Sequence, residues 1–155
     1  MNFILSFFKL FPAEFAHYLA LNSLNIIYNL SLTHFFFKDN REDKINFANL
    51  NFTNRLGTAA GLDKNGDFID CLGALGFGFL EVGTITPLSQ KGNPKPRVFR
   101  IFNENAVINR LGFNNKGVDY LVKNLKKRKY KGIVGVNIGA NKESSDQDRI
   151  NDYLI

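Results

Sequence analysis

The spacing of apolar positions changes several times along the chain. From Pro12 onward, Phe15, Leu19, Ile26, Ile27 and Leu30 recur at helical intervals with few charges between them. That apolar arc is too wide for a simple surface helix. Pro12-Ala-Glu14 reads as a helix first turn, with proline near the first position and an acid at the positive end of the peptide dipoles. The charged run Lys38-Asp-Asn-Arg-Glu-Asp-Lys44 interrupts the pattern and predicts a linker or exposed turn. From about Ile45, strand and helix patterns alternate. Residues 46–55 predict a short strand or hairpin, and 56–62 a first core strand. Phe68, Leu72 and Leu75 share a helical face, so 67–75 predicts a short helix stopped by Gly76. Residues 77–84 form a nearly continuous apolar run, the signature of a strand covered on both faces. Residues 87–96 are a Gly/Pro-rich excursion without regular structure. Residues 97–109 suit a two-stranded ribbon turning near Asn103-Glu-Asn105. Val118, Leu121, Val122 and Leu125 predict a helix over 115–128, with Gly132 as its cap. A third strand follows at 133–138. Ser145-Asp146 opens a last helix carrying Ile150, Tyr153 and Leu154 on one face.

The order is β-α-β-(excursion)-α-β-α, for which parallel strands joined by crossover helices are the economical arrangement. Three such units do not close a barrel of eight, and the chain stops inside an amphipathic helix. The expectation is therefore the front part of a longer protein, with a helical arm over 1–40 and the first part of a barrel over 41–155.

Composition narrows the picture modestly. Across 155 residues, 45% are hydrophobic and 22% charged, which is globular rather than disordered. The net charge of +6 allows anionic ligands, nucleic acid or an anionic membrane surface and selects none of them. The single cysteine, Cys71, excludes an internal disulfide and a cysteine zinc cluster; it falls in the 67–75 helix and reads as a small hydrophobe. His17 and His34 are too few for a His-rich metal site, so no metal is expected. The apolar stretch 3–37 is broken by Lys9, Glu14, His17, Asn22 and Asn25, short of the about 20 mostly apolar residues a spanning helix needs. It reads instead as a pair of short helices lying on a membrane or packed on the domain. The basic run 123–131 falls at a helix end, where cations favour the dipole, and lacks any nucleic-acid motif.

Candidate chemistry concentrates where strands end. Thr58-Ala-Ala-Gly-Leu-Asp-Lys64 delivers a lysine from a small-residue turn; Thr84 and Asn137 end the next two strands. Small and polar residues at the carboxyl ends of parallel strands are where barrels and open α/β sheets keep ligand sites.

The ordered set Ala59-Ala-Gly-Leu-Asp-Lys-Asn-Gly66, Gly76-Phe-Gly78, Glu81-Val-Gly-Thr-Ile-Thr-Pro87, Gly92-Asn-Pro-Lys-Pro-Arg97, Phe99-Arg100, Ile108-Asn-Arg-Leu-Gly-Phe-Asn-Asn115 and Gly135-Val-Asn-Ile-Gly139 resembles class 2 dihydroorotate dehydrogenase, the quinone-dependent, membrane-associated form. The resemblance implies a (β/α)8 TIM barrel, of which about three of eight strands are present, preceded by a small helical arm. It implies FMN as cofactor, oxidation of dihydroorotate to orotate in pyrimidine (UMP) synthesis, and a quinone as electron acceptor. It also implies a peripheral membrane protein, on the cytoplasmic side of the inner membrane if bacterial.

Carried over residue by residue, the resemblance gives Ala60, Gly61, Leu62, Asp63, Lys64, Thr84 and Asn137 as FMN contacts. Lys64, Asn109, Arg110, Leu111, Gly112 and Phe113 would hold the substrate, with Lys64 and the N–H groups of Gly112 and Phe113 on its carboxylate. His17 and Arg100 would lie along the quinone route. The serine base of this class is expected beyond Ile155, so the chain by itself is expected to be inactive. Taken without the family, the same residues also allow a tight strand-to-helix turn at 59–61, a solvated Lys64, a helix cap at Asn114 or Asn115, and a surface His17 and Arg100. Two rivals are another FMN barrel oxidoreductase of the dihydropyrimidine type and a non-catalytic basic binding module.

Overall fold

The computed structural model describes residues 2–36 and 43–154. Helices α1 (Asn2–Lys9), α2 (Ala13–Asn29) and α3 (Thr33–Phe36) come first. The α2 ladder starts from Pro12, whose carbonyl accepts from the Ala16 N–H at 2.9 Å. Ala16 and Leu21 are buried, whereas Phe15, Tyr18, Ile26 and Leu30 are exposed, so the broad apolar arc is only partly covered. Residues 38–42 of the charged run fall outside the described residues.

Strands β1 (Ile45–Phe47) and β2 (Leu50–Phe52) form the expected hairpin. The next segment corrects the sequence reading, because no strand spans 56–62. A single parallel bridge joins Gly57 to Phe79. Past it, the Thr58 hydroxyl takes the Glu81 N–H at 3.1 Å, replacing a ladder bond with a side-chain bond. The chain nevertheless stays beside β3 (Phe79–Ile85), through Gly61 N–H to the Gly83 carbonyl and Gly83 N–H to the Asp63 carbonyl. On its other side β3 pairs in parallel with β6 (Ile133–Ile138), Phe79 opposite Ile133. Three parallel segments thus lie side by side in chain order.

The crossover α4 (Ile69–Gly73) is shorter than 67–75. Asp63 is the reason: its carboxylate accepts from the N–H groups of Asn65, Asp67 and Phe68, which winds 63–68 as a turn. The excursion 87–96 is irregular, as expected. The ribbon is β4 (Val98–Ile101) against β5 (Ala106–Asn109), turning through a 3-10 segment, Phe102–Glu104. Helix α5 (Val118–Lys127) starts three residues later than its pattern suggests, with Gly117 rather than Asn114 or Asn115 at its N-cap. Gly132 is not its cap either. The helix ends at Lys127, and Gly132 lies against the Tyr130 ring, which a Cβ there would overlap. Helix α6 (Asp146–Asn151) is capped by Ser145, whose hydroxyl accepts from the Asp148 N–H.

Leu21, Ile69, Leu72, Leu80, Val82, Ile85 and Leu121 form one core uniting α2, α4, β3 and α5. Cys71 is wholly buried there, and burial pushes its thiol up to about 11, so it packs rather than reacts. A buried polar knot stands at the strand ends. Asn115 donates to the Thr86 hydroxyl (2.8 Å) and the Phe113 carbonyl (2.7 Å) and accepts from the Gly117 N–H (2.8 Å). Of the two asparagines that could cap α5 on sequence alone, Asn114 and Asn115, the second is committed to this network, which explains why α5 begins beyond it. Asn115→Ala leaves the Gly117 N–H and Phe113 carbonyl without these partners and is expected to cost about 2 kcal/mol, read as a lower urea midpoint at unchanged slope.

Candidate active site

The carboxyl ends of the parallel segments converge on one rim. Ala59-Ala-Gly61 runs along the end of β3, with Gly61 at φ +101, a conformation that disfavours any side chain. A Cβ at Gly61 would meet no atom within 4 Å, so the turn presents bare backbone to open space. Lys64 reaches back across it, donating to the Gly61 carbonyl at 3.1 Å. Leu62 is exposed, Ala60 is half-buried, and Asp63 is buried with its carboxylate committed to the 63–68 turn. Burial raises the Asp63 pKa, against the opposing pull of those N–H groups.

Burial lowers the Lys64 pKa below the ordinary lysine value; Glu14 opposes the shift and Arg97 adds to it. His17, half-buried on α2, faces the same place. Its pKa is lowered by burial and by the Lys64 charge, against Glu14 and a hydrogen bond to the Leu62 backbone. His17 is therefore seated beside the Lys64 turn and is not a free surface group. Arg100 is engaged elsewhere: its guanidinium donates to the carbonyls of Phe8, Lys9 and Phe11, clamping the end of α1.

Thr84 and Asn137, from adjacent strand ends, touch. The Thr84 hydroxyl donates to Asn137 Oδ1 at 2.6 Å, and Asn137 Nδ2 donates to Glu81 at 3.0 Å. The amide thus finds partners within the protein. Both residues line an open cleft of about 510 Å³ together with Gly112, Phe113, Gln90, Asn141, Lys142 and Tyr153. The structure accordingly unites Thr84, Asn137, Gly112 and Phe113, while Lys64 and Asn109 are outside the cleft walls. Asn109 and Arg110 are exposed; Asn109 Oδ1 accepts from the Leu111 N–H, and Arg110 donates to the Pro96 carbonyl. Phe113 is 59% exposed with φ +51, a left-handed backbone that turns its ring outward.

Sequence reading missed Gln90 and Asn141. Gln90 Nε2 holds the carbonyls of Gly112 and Phe113, and Asn141 ties Thr86, Leu88 and Gln90 together. Only pairing across more than 20 residues reveals them, and amide side chains in loops carry no periodic signal. Among the described residues no His/Cys/Asp/Glu cluster could hold a metal, and no helix is long and apolar enough to cross a membrane.

A parallel arc with crossover helices and its small, polar strand ends gathered on one rim defines part of an α/β barrel. Comparison with known proteins specifies which. The family profile described as "Dihydroorotate dehydrogenase" matches residues 43–155. A relative from Buchnera aphidicola subsp. Schizaphis graminum, named dihydroorotate dehydrogenase (quinone), is 53% identical over 94% of this chain and 44% of its own length. One of the same name from Saccharophagus degradans is 52% identical over 95% of this chain and 43% of its own. The solved structure of DHODH from Eimeria tenella in complex with ferulenol superposes with a TM-score of 0.71 at 35% identity, covering 91% of this chain and 39% of that one. The chain belongs to the dihydroorotate dehydrogenase family, and its fold is the corresponding part of the TIM barrel. It spans less than half the length of these curated relatives.

Proposed function

We propose that this chain forms the cofactor- and substrate-facing first part of a quinone-dependent dihydroorotate dehydrogenase with FMN as its cofactor. The observation that carries the reading is the meeting of Thr84 and Asn137 on the cleft that Gly112 and Phe113 also line. The residues suit the cofactor: bare backbone at Gly61 admits a flat ring, and the Thr84–Asn137 pair retains hydrogen-bonding capacity toward it. FMN, when bound, supplies hydride acceptance and onward electron transfer. The protein's share is orientation. Lys64, with its charge, anchors a carboxylate; the 109–113 loop holds the acidic pyrimidine; Phe113, exposed at the cleft, would cover it once substrate is bound. Leu5, Phe7, Leu10 and Phe15 leave an apolar surface on α1–α2 suited to resting on a membrane, with the quinone approaching past His17.

The test is a chimera joining residues 1–155 to the remaining part of the Buchnera relative. It is expected to purify yellow and to reduce a quinone with dihydroorotate. Replacing Thr84 by Val together with Asn137→Leu is expected to weaken FMN binding about 10- to 100-fold in a fluorescence titration. A chimera that folds by circular dichroism yet remains colourless in excess FMN overturns the reading.

A further inference from the structure

The elbow between α1 and α2 is gripped by two arginines of one strand edge. Arg100, on β4, donates to the carbonyls of Phe8, before the elbow, and Phe11, within it. Arg97, just ahead of β4, takes Glu14 after it: Nη2 to Oε1 is 2.6 Å, and Nε lies 3.2 Å from both carboxylate oxygens. This pair is shielded, with only 7% of the Arg97 side chain and 14% of the Glu14 side chain exposed. Bidentate geometry fixes orientation as well as distance.

Arg97 does more than hold the arm. Its Nη1 donates to the carbonyls of Lys91 (2.8 Å) and Asn93 (3.1 Å), folding the excursion around the guanidinium. Asn93 in turn grips the 109–113 loop: its N–H donates to the Leu111 carbonyl at 3.0 Å and its side chain to the Arg110 carbonyl at 2.8 Å. The Arg110 N–H closes the circuit on the Arg97 carbonyl at 2.8 Å. Gly112 packs so close to Asn93 that a Cβ would lie 2.9 Å from its backbone nitrogen. An unbroken line of hydrogen bonds therefore runs from a carboxylate on the helical arm to the loop at the cleft.

We propose that Glu14 is a positioning residue that, through Arg97 and Asn93, ties the seating of the helical arm to the conformation of the 109–113 loop. Glu14 touches neither the cleft nor the loop; it reaches the loop through Arg97 and Asn93, while its charge also acts on Lys64. The coupling stands on the geometry alone; its meaning for catalysis rests on the function proposed above. An arm shifted by a membrane or a hydrophobic guest would transmit that shift to the loop proposed to hold the substrate.

Hydrogen–deuterium exchange on the intact chain tests it. In Glu14→Gln the amides of Asn93 and Arg110 are expected to exchange about tenfold faster while those of β6 keep their wild-type rates. Asn93→Ala is expected to speed Arg110 equally without loosening α2, and the double variant to exchange at Arg110 no faster than Asn93→Ala alone. Unchanged Arg110 exchange in Glu14→Gln, or additive effects in the double variant, overturns the coupling. In the chimera, Glu14→Gln is expected to raise the dihydroorotate KM severalfold at unchanged flavin content; an unchanged KM overturns the catalytic half. A colourless chimera with the exchange pattern intact would count against the proposed function and leave the coupling standing.

Discussion

Lys64→Ala in the flavin-loaded chimera is expected to lower kcat/KM for dihydroorotate by roughly 10²- to 10³-fold, with little change in quinone KM. Truncating one member of a partly buried charge pair costs about 2–5 kcal/mol, and that range sets the figure. The structure supports the upper part of it. Lys64 is shielded by the turn it crosses, and its Nζ is already aimed by the Gly61 carbonyl, so little ordering remains to be done on binding. Burial also sets a pH signature. Because the Lys64 pKa lies below the ordinary lysine value, the ammonium loses its proton sooner than a solvated lysine as pH rises. Affinity for the carboxylate should therefore fall on the alkaline side at a pH below that of a free lysine. Lys64→Arg, which stays charged throughout, should abolish that decline whatever it does to the absolute rate. A wild-type profile that stays flat up to the ordinary lysine range would separate Lys64 from the substrate carboxylate.

The largest expected effect on stability comes from Gly78→Ala, at about 4 kcal/mol. Gly78, one residue before β3, lies directly against Asn54, and a Cβ would overlap the Asn54 carbonyl oxygen and lie 2.7 Å from its carbon. Backbone cannot swing aside as a flexible side chain would, so the strand or the hairpin must move. Movement would also break the Asn54 bonds: Oδ1 accepts from the Gly78 N–H at 3.0 Å, and Nδ2 donates to the Gly76 carbonyl at 2.8 Å. Thermal unfolding is the measurement, and Gly73→Ala gives a milder comparison, since its conflict is with the Tyr130 ring rather than with backbone. Equal losses for the two variants would refute the argument from backbone contact.

Elements with a strong periodic signal were legible from the residues. The apolar run 77–84 announced a strand covered on both faces, and the strand found at Phe79–Ile85 has no exposed position, with Leu80, Val82, Gly83 and Ile85 buried and Phe79, Glu81 and Thr84 half-buried. The β4–β5 ribbon and α2 were equally plain. What escaped were positions where a side chain replaces a backbone partner. Thr58 substitutes for a ladder bond and dissolves the first strand into a bridge; Asp63 shortens α4; Asn115 delays α5. Threonine, aspartate and asparagine side chains can bond nearby backbone, and only the fold decides whether their polar atoms serve a neighbour or a residue 23 or 29 positions away. The site divides in the same way. Thr84, Asn137, Gly112 and Phe113, each singled out by its motif, line one cleft, whereas the Glu14–Arg97 pair, separated by 83 residues, left no trace in local pattern.

Asp70 on α4 accepts the backbone N–H groups of Lys129 and Tyr130, both at 2.8 Å, and so holds the chain where it turns toward β6. The grip falls on peptide groups and ignores the charged side chains of the basic stretch. Lys126, Lys127, Lys129 and Lys131 are exposed, so the third parallel strand keeps its starting point whichever side chain other than proline or glycine stands at those four positions. Their charge can be rewritten as a block, for solubility or ion-exchange behaviour, without redrawing the architecture.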